Sequence, residues 1–228
     1  MSLLASLRLL LKGPTPKEMA AQLRRPHGFM ARKVGERMNA ANRFLYTNTW
    51  PALELRDGMR VLEIGFGNGQ FLGELARQAN NLELHGLDLS AAMVQEASTH
   101  HASLIGTGAL SLVNGASDRM PYAEAFFDRI FCINVVYFWD DPSAHLRELH
   151  RVLKPDGTFT AVLRARSSME RLPFASFGFT MYEQADWERV LRANGFRPLR
   201  TVVLKEPEAE YEGRKYSPRS LVMVAARR

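Results

Sequence analysis

Val61-Leu62-Glu63-Ile64-Gly65-Phe66-Gly67-Asn68-Gly69-Gln70-Phe71 reads as a buried strand that breaks into a glycine-rich turn and then a helix. Glycines at alternate positions permit positive φ and let a ligand approach the backbone with no Cβ in the way. A helix after such a turn directs its free N–H groups at the same place. The turn is therefore the base of a nucleotide-type cofactor site, with Glu63 two residues before its first glycine. A dinucleotide fingerprint places Gly or Ala where this chain has Gln70, so the pattern is GxGxG rather than GxGxxG and disfavours NAD.

Working outward, Leu84-His85-Gly86-Leu87-Asp88-Leu89-Ser90 predicts a second strand ending in an acid. Asp88 lies 23 positions after Gly65, close to the ~20-residue interval at which such folds place a carboxylate for ribose hydroxyls. Further blocks follow at Val113-Asn114-Gly115-Ala116-Ser117-Asp118-Arg119-Met120-Pro121-Tyr122, at Phe127-Asp128-Arg129-Ile130-Phe131-Cys132-Ile133-Asn134 and at Arg151-Val152-Leu153-Lys154-Pro155-Asp156-Gly157. In order and spacing these blocks, over roughly residues 59 to 164, resemble the class I S-adenosylmethionine (SAM) dependent methyltransferases of the ubiquinone/menaquinone methyltransferase-like branch.

Strand and helix patterns alternate through the chain, which predicts an α/β fold with a mostly parallel sheet and helices on both faces. Strands are expected near 59 to 64, 82 to 88, 109 to 113, 128 to 134, 157 to 164, 199 to 205 and 220 to 226. Helices are expected near 69 to 79, 91 to 102, 142 to 153 and 183 to 194, with Ser90 and Asp141-Pro142 as starts and Gly195 as a stop. The last two strands have no helix between them and can pair as a hairpin, with Glu206 to Gly213 a plain loop. The resemblance implies the same outcome, a Rossmann-like seven-stranded sheet with one antiparallel C-terminal strand. Ahead of it, Thr15-Pro16-Lys17-Glu18 is a capping box that starts a helix running to about Arg24, and residues 29 to 50 carry a helical apolar period ending before Pro51. By the same resemblance, residues 1–50 are a helical lid over the cofactor and residues 51–228 are the methyltransferase domain.

Bulk properties narrow the class. The 228 residues, 46% hydrophobic, suit one larger domain or one domain with a small lid. A single cysteine, Cys132, excludes a disulfide framework and a cysteine zinc site and fits the cytoplasm. The apolar start, Ser2 to Lys12, is too short to span a bilayer and reads as a surface helix. A net charge of +6 invites a nucleic-acid reading, but the basic residues are spread along the chain. No Asn-Pro-Pro-Tyr or Asp-Pro-Pro-Tyr box is present either, which the resemblance makes an argument against methylation of bases.

On the resemblance, Glu63 meets the ammonium of the methionine part, Gly65, Phe66, Gly67 and Asn68 form the turn around it, and Asp88 receives the ribose. Leu89 and Met93 flank the adenine, and Ala116 and Ser117 meet its edge. Relatives commonly carry aspartate where Ala116 stands, so that contact is lost here or passes to Ser117 or Asp118. Asn134 ends the fourth strand at the ligand-binding edge of the sheet, and Tyr137 and Trp139 after it are candidates to wall an acceptor. Tyr46, Asn39 and Asn42 are further candidate cofactor contacts, and His100, His101, His145 and His150 read as solvated or helix-terminal residues. No metal ligands and no catalytic base are assigned. The expected function is SAM-dependent methyl transfer to a small-molecule or lipid-like acceptor. The alternatives are an RNA or protein methyltransferase and a SAM-binding protein without turnover.

Overall fold

The computed structural model describes residues 13–211 and 214–228, so the expected helix before Lys12 lies outside the described residues. Helix α1 (Pro16–Arg24) begins as its capping box predicts. Thr15 Oγ1 accepts from the Glu18 N–H at 3.3 Å, and the Glu18 carboxylate accepts from the Thr15 N–H at 2.8 Å. A 3-10 turn at Gly28–Met30 leads into α2 (Ala31–Leu53), which buries Val34, Leu45, Tyr46, Thr49 and Leu53. The expected stop before Pro51 is corrected: Pro51 lies inside the final turn, and the helix ends at Leu53, with Glu54 in the left-handed region at φ 48°. One missing N–H so near the terminus removes a single intrahelical bond.

Next come β1 (Arg60–Ile64), α3 (Leu72–Leu75), β2 (Glu83–Asp88), α4 (Ala91–His100), α5 (Ala102–Gly106), β3 (Leu110–Asn114), β4 (Phe127–Ile133) and α6 (Pro142–Val152). The chain closes with β5 (Leu153–Arg164), α7 (Arg166–Met169), α8 (Gln184–Ala193), β6 (Phe196–Lys205), β7 (Ala209–Tyr211), β8 (Arg214–Tyr216) and β9 (Arg219–Arg227). Two expectations shorten or change. The helix expected over 69 to 79 is only α3, because the bonds after Ala76 switch to the tighter pattern Arg77 N–H to Glu74 and Gln78 N–H to Leu75. The segment read as a plain loop after Glu206 contains the β7–β8 hairpin. The predicted caps hold: Ser90 Oγ accepts from Met93 N–H at 3.3 Å, Asp141 Oδ1 accepts from Ser143 N–H at 3.0 Å, and Gly195 takes φ 80° after α8.

Seven strands form one sheet in the order β3-β2-β1-β4-β5-β9-β6. Every pair is parallel except those of β9, which runs antiparallel to both β5 and β6. The chain moves outward one way through β1, β2 and β3 and then returns to place β4 on the other flank of β1. The loops leaving β1 and β4 therefore part, and a crevice opens at the carboxyl ends of these two strands. Apolar layers fill both faces, one around Leu149, Phe159 and Trp187 and the other around Leu45, Phe71 and Leu75. The second layer seats α2 against the sheet, and α1 and α2 thereby reach the crevice.

Candidate active site

The glycine turn leaves β1 with Gly65, Gly67 and Gly69 all at positive φ, between 60° and 75°. Their reasons differ. A Cβ on Gly65 would lie 2.4 Å from Val135 Cγ2, and one on Gly69 would lie 2.8 Å from Ala97 Cβ, so packing requires glycine at both. A Cβ on Gly67 would meet nothing within 4 Å. Its bareness serves the open space above the turn. His101 braces the turn from the side, its Nε2 2.7 Å from the Gly69 carbonyl oxygen, so this histidine is neither free nor merely terminal.

Above the turn lies a cavity of about 320 Å³. Of the residues singled out from sequence for the cofactor, Gly65, Phe66, Gly67, Asn68, Asp88, Leu89, Met93, Ala116, Ser117 and Asn134 all line it, as do Tyr46, Asn39 and Asn42. Glu63 sits beneath its wall, 1% exposed, and receives the Tyr46 hydroxyl in a short hydrogen bond. Burial pushes the Glu63 carboxyl up to about 8; the Tyr46 bond opposes that rise and the nearby Asp88 charge adds to it. Asp88 is clipped at both oxygens, Oδ2 accepting from Gly67 N–H at 2.9 Å and Oδ1 from Ser90 N–H at 2.8 Å. Burial raises it to about 6, against these two bonds. Each oxygen keeps a lone pair for a further donor.

α1 and α2 close the cavity from above through polar ties. Ser90 Oγ donates to the Pro26 carbonyl, Asn39 Nδ2 donates to Asn68 Oδ1 at 3.0 Å, and Arg24 pairs with Asp140. Asn134, at φ 57°, is held from two sides. Its Nδ2 donates to Asn42 Oδ1 at 2.9 Å, and its Oδ1 accepts from the Tyr137 hydroxyl at 3.0 Å. A non-glycine residue in that conformation at a strand end is the kind of local strain found at working sites.

The end of the cavity near Ala116 holds a cluster that the sequence reading missed. His145, on α6, lies with Nδ1 2.8 Å from Ser117 Oγ and stacks on Trp139 at 4.7 Å with planes 7° apart. Burial lowers the His145 pKa, against the nearby charges of Asp118, Asp141 and Asp140. Its expected solvated role is corrected, and Trp139, expected beside the acceptor, lines this first cavity instead. Tyr137 lines a second cavity, of about 730 Å³, which adjoins the first across shared Leu23, Met38, Asn42, Asn134 and Phe138. Its walls are mostly apolar, with Met19, Met169, Leu172, Phe174 and Phe179.

The arrangement suits SAM. Two buried carboxylates, Glu63 and Asp88, match a ligand bearing an ammonium at one end and ribose hydroxyls at the other, and the bare Gly67 leaves room for its close approach. Among the described residues, no three His, Cys, Asp or Glu side chains converge as a metal site, and no helix is long and apolar enough to cross a membrane.

Residues 62–161 match the sequence profile of the family described as a methyltransferase domain. An uncharacterized methyltransferase of Bacillus subtilis is 28% identical over 135 residues, 59% of this chain and 72% of that protein. A malonyl-[acyl-carrier protein] O-methyltransferase of a Marinomonas species is 32% identical over 126 residues, 55% of this chain and 46% of that enzyme. Among solved structures, a chain from the complex between the Haloferax volcanii Trm112 methyltransferase activator and a methyltransferase superposes with TM-score 0.75 at 19% identity, over 94% of this chain and 99% of that one; it shares the fold. Residues 62–161 thus match a methyltransferase domain, and the relatives and the sheet order agree in their likeness to the class I SAM-dependent methyltransferases.

Proposed function

We propose that this enzyme methylates a small-molecule or lipid-like acceptor lodged in the second cavity, with the cofactor in the first. The observation that carries the reading is the joining of the two spaces. An acid-lined cavity meets a larger one with no carboxylate among its described lining at Asn42, Asn134 and Phe138, so a ligand in each would touch end to end. Volumes of 300 to 1,000 Å³ with apolar walls and a few polar groups are usual for small-molecule sites. The malonyl-[acyl-carrier protein] relative, named for an acyl substrate, is in keeping with such an acceptor.

When bound, SAM supplies a methyl group on a positively charged sulfur, already activated toward in-line attack. The chain's part is placement. Glu63, relayed by Tyr46, offers negative charge to the methionine ammonium, and Asp88 offers its spare lone pairs to the ribose. Ser117, backed by His145, faces the adenine end where Ala116 offers no acceptor of its own. Asn134 and Asn42 stand at the junction and orient the nucleophile toward the methyl carbon. Holding the partners in line is worth up to ~7–11 kcal/mol of barrier in favourable cases.

Incubating the protein with methyl-labelled SAM and separated pools of metabolites, lipids and RNA tests the reading. Label is expected in the small-molecule or lipid pool. Label confined to RNA, or to protein, would replace it. The site assignment has its own check. Asp88→Ala should weaken SAM binding in calorimetry by ~1.5–3 kcal/mol, the usual worth of hydrogen bonds to a charged group. Unchanged affinity would remove Asp88 from the ribose.

A further inference from the structure

The two cavities differ in charge. The first is lined by Asp88, Asp118, Asp140 and Asp141 against Arg24 alone, and Arg24 is already paired with Asp140. Among the described residues lining the second there is no carboxylate at all, and two arginines, Arg37 and Arg164. These two are not alike. Arg164 is spent. Its Nε and Nη2 each donate to a Glu206 carboxylate oxygen at 2.7 Å, with Glu206 5% exposed and held also by the Ser220 hydroxyl at 2.6 Å. Arg37 has no ion-pair or hydrogen-bond partner among the described residues.

Helical spacing fixes where Arg37 stands. Val34, Arg37, Met38, Ala41 and Asn42 line the second cavity from one face of α2. Arg37 is exposed and stands one position before Met38 and five before Asn42, both shared with the first cavity. The chamber therefore has an apolar body, a polar junction with the first cavity and a free guanidinium in its wall. A guanidinium is weakly hydrated, always charged and shaped to take a carboxylate, sulfonate or phosphate in two parallel hydrogen bonds.

We propose that the acceptor is an apolar molecule bearing an anionic group, and that Arg37 binds that group. This rests on the second cavity being the acceptor chamber. Cationic amines are the disfavoured class: they would enter a chamber whose described lining has positive charge and no carboxylate to receive them. Neutral apolar molecules fill the body of the chamber without using Arg37.

Calorimetry on the full chain with twelve-carbon probes below their micelle concentrations separates the cases. Dodecanoate, 1-dodecanol and dodecylamine share the apolar body and differ at the head. Dodecanoate is expected to bind about fivefold more tightly than dodecanol, the scale of one partly exposed charge pair, and dodecylamine more weakly than either. Arg37→Gln should bring dodecanoate down to the affinity of dodecanol and leave dodecanol unchanged, while Arg37→Lys retains part of the preference. Ala41→Phe, which fills the chamber from the same helix face, should weaken all three. Equal binding of dodecanoate and dodecanol, or a preference that survives Arg37→Gln, overturns the anionic assignment while the apolar chamber stands. Binding of all three that is indifferent to Ala41→Phe, or no binding at all, overturns the chamber as well.

Discussion

Glu63 is a carboxylic acid held almost wholly out of water, 1% exposed. Unfolded, its carboxyl titrates near 4.5; folded, burial moves it to about 8, with Tyr46, Asp88 and Cys132 its neighbours in charge. Between those values the folded state keeps a proton that the unfolded state has lost. Stability therefore falls as pH rises through the window. Glu63→Gln removes this titration and leaves that of Asp88, which is complete at lower pH, so from about pH 6.5 to pH 8 its urea midpoint should decline less than that of the wild type. The gap at pH 8 is expected on the order of 1–3 kcal/mol, the scale of an ill-matched buried polar group. SAM reverses the sign for the wild type: its cation favours the ionised carboxylate, so affinity should rise with pH over the same window. The Gln variant should bind more weakly with little pH dependence. Parallel pH profiles for the two proteins would remove Glu63 from the cofactor.

At the scale of elements, the strands and caps were legible because they are written locally. Apolar runs mark β1, β2 and β4, while Thr15, Ser90 and Asp141 announce the helices they start. The residues that line the first cavity were largely legible, among them Gly65 to Asn68, Asp88, Asn134 and the α2 residues Asn39, Asn42 and Tyr46, whereas the pairings between distant residues were not. The Tyr46–Glu63 pair spans 17 positions and the Ser117–His145 pair spans 28. Which face α2 or α6 turns to the crevice is decided by packing against the sheet, and the apolar period alone does not say which polar residue flanks the buried stripe. α3 was overread for a related reason. Its apolar spacing fits a longer helix, but Gln78 and Asn80 lead into a turn in which Asp57 holds both the backbone and the side chain of Asn80. Gly86 shows how strand and turn depend on each other. A Cβ there would lie 2.6 Å from Phe66 Cδ1 and 2.7 Å from Leu112 Cδ2. Gly86→Ala should therefore cost about 1–3 kcal/mol in denaturant unfolding, the usual price of overpacking, and should displace Phe66 from the cofactor turn. Gly67→Ala has open space for its methyl and should instead spend its effect on SAM affinity, with about 1–2 kcal/mol of backbone cost from the left-handed φ. Equal losses of stability and equal losses of affinity in the two variants would contradict the different reasons given for these glycines.

For the whole molecule, the sheet and the two helices above the crevice differ in how they are held. β1, β4 and β5 are paired on both sides and buried, whereas α1 and the turn after it are tied to the body by Arg24 to Asp140 and by the Pro26 carbonyl to Ser90. Amide hydrogen exchange should be fast in α1 and at the start of α2, slow in the central strands, and should slow in the former when SAM is added. Protection equal to that of the strands in the free protein would mean that this cover does not move.

One helix, α2, supplies wall to both cavities through Met38 and Asn42. The two rooms thus share one partition. On the proposed occupancy, loosening that partition to let one guest leave also unseals the other. Steady-state kinetics should then show a fixed sequence of arrivals and departures instead of a random one.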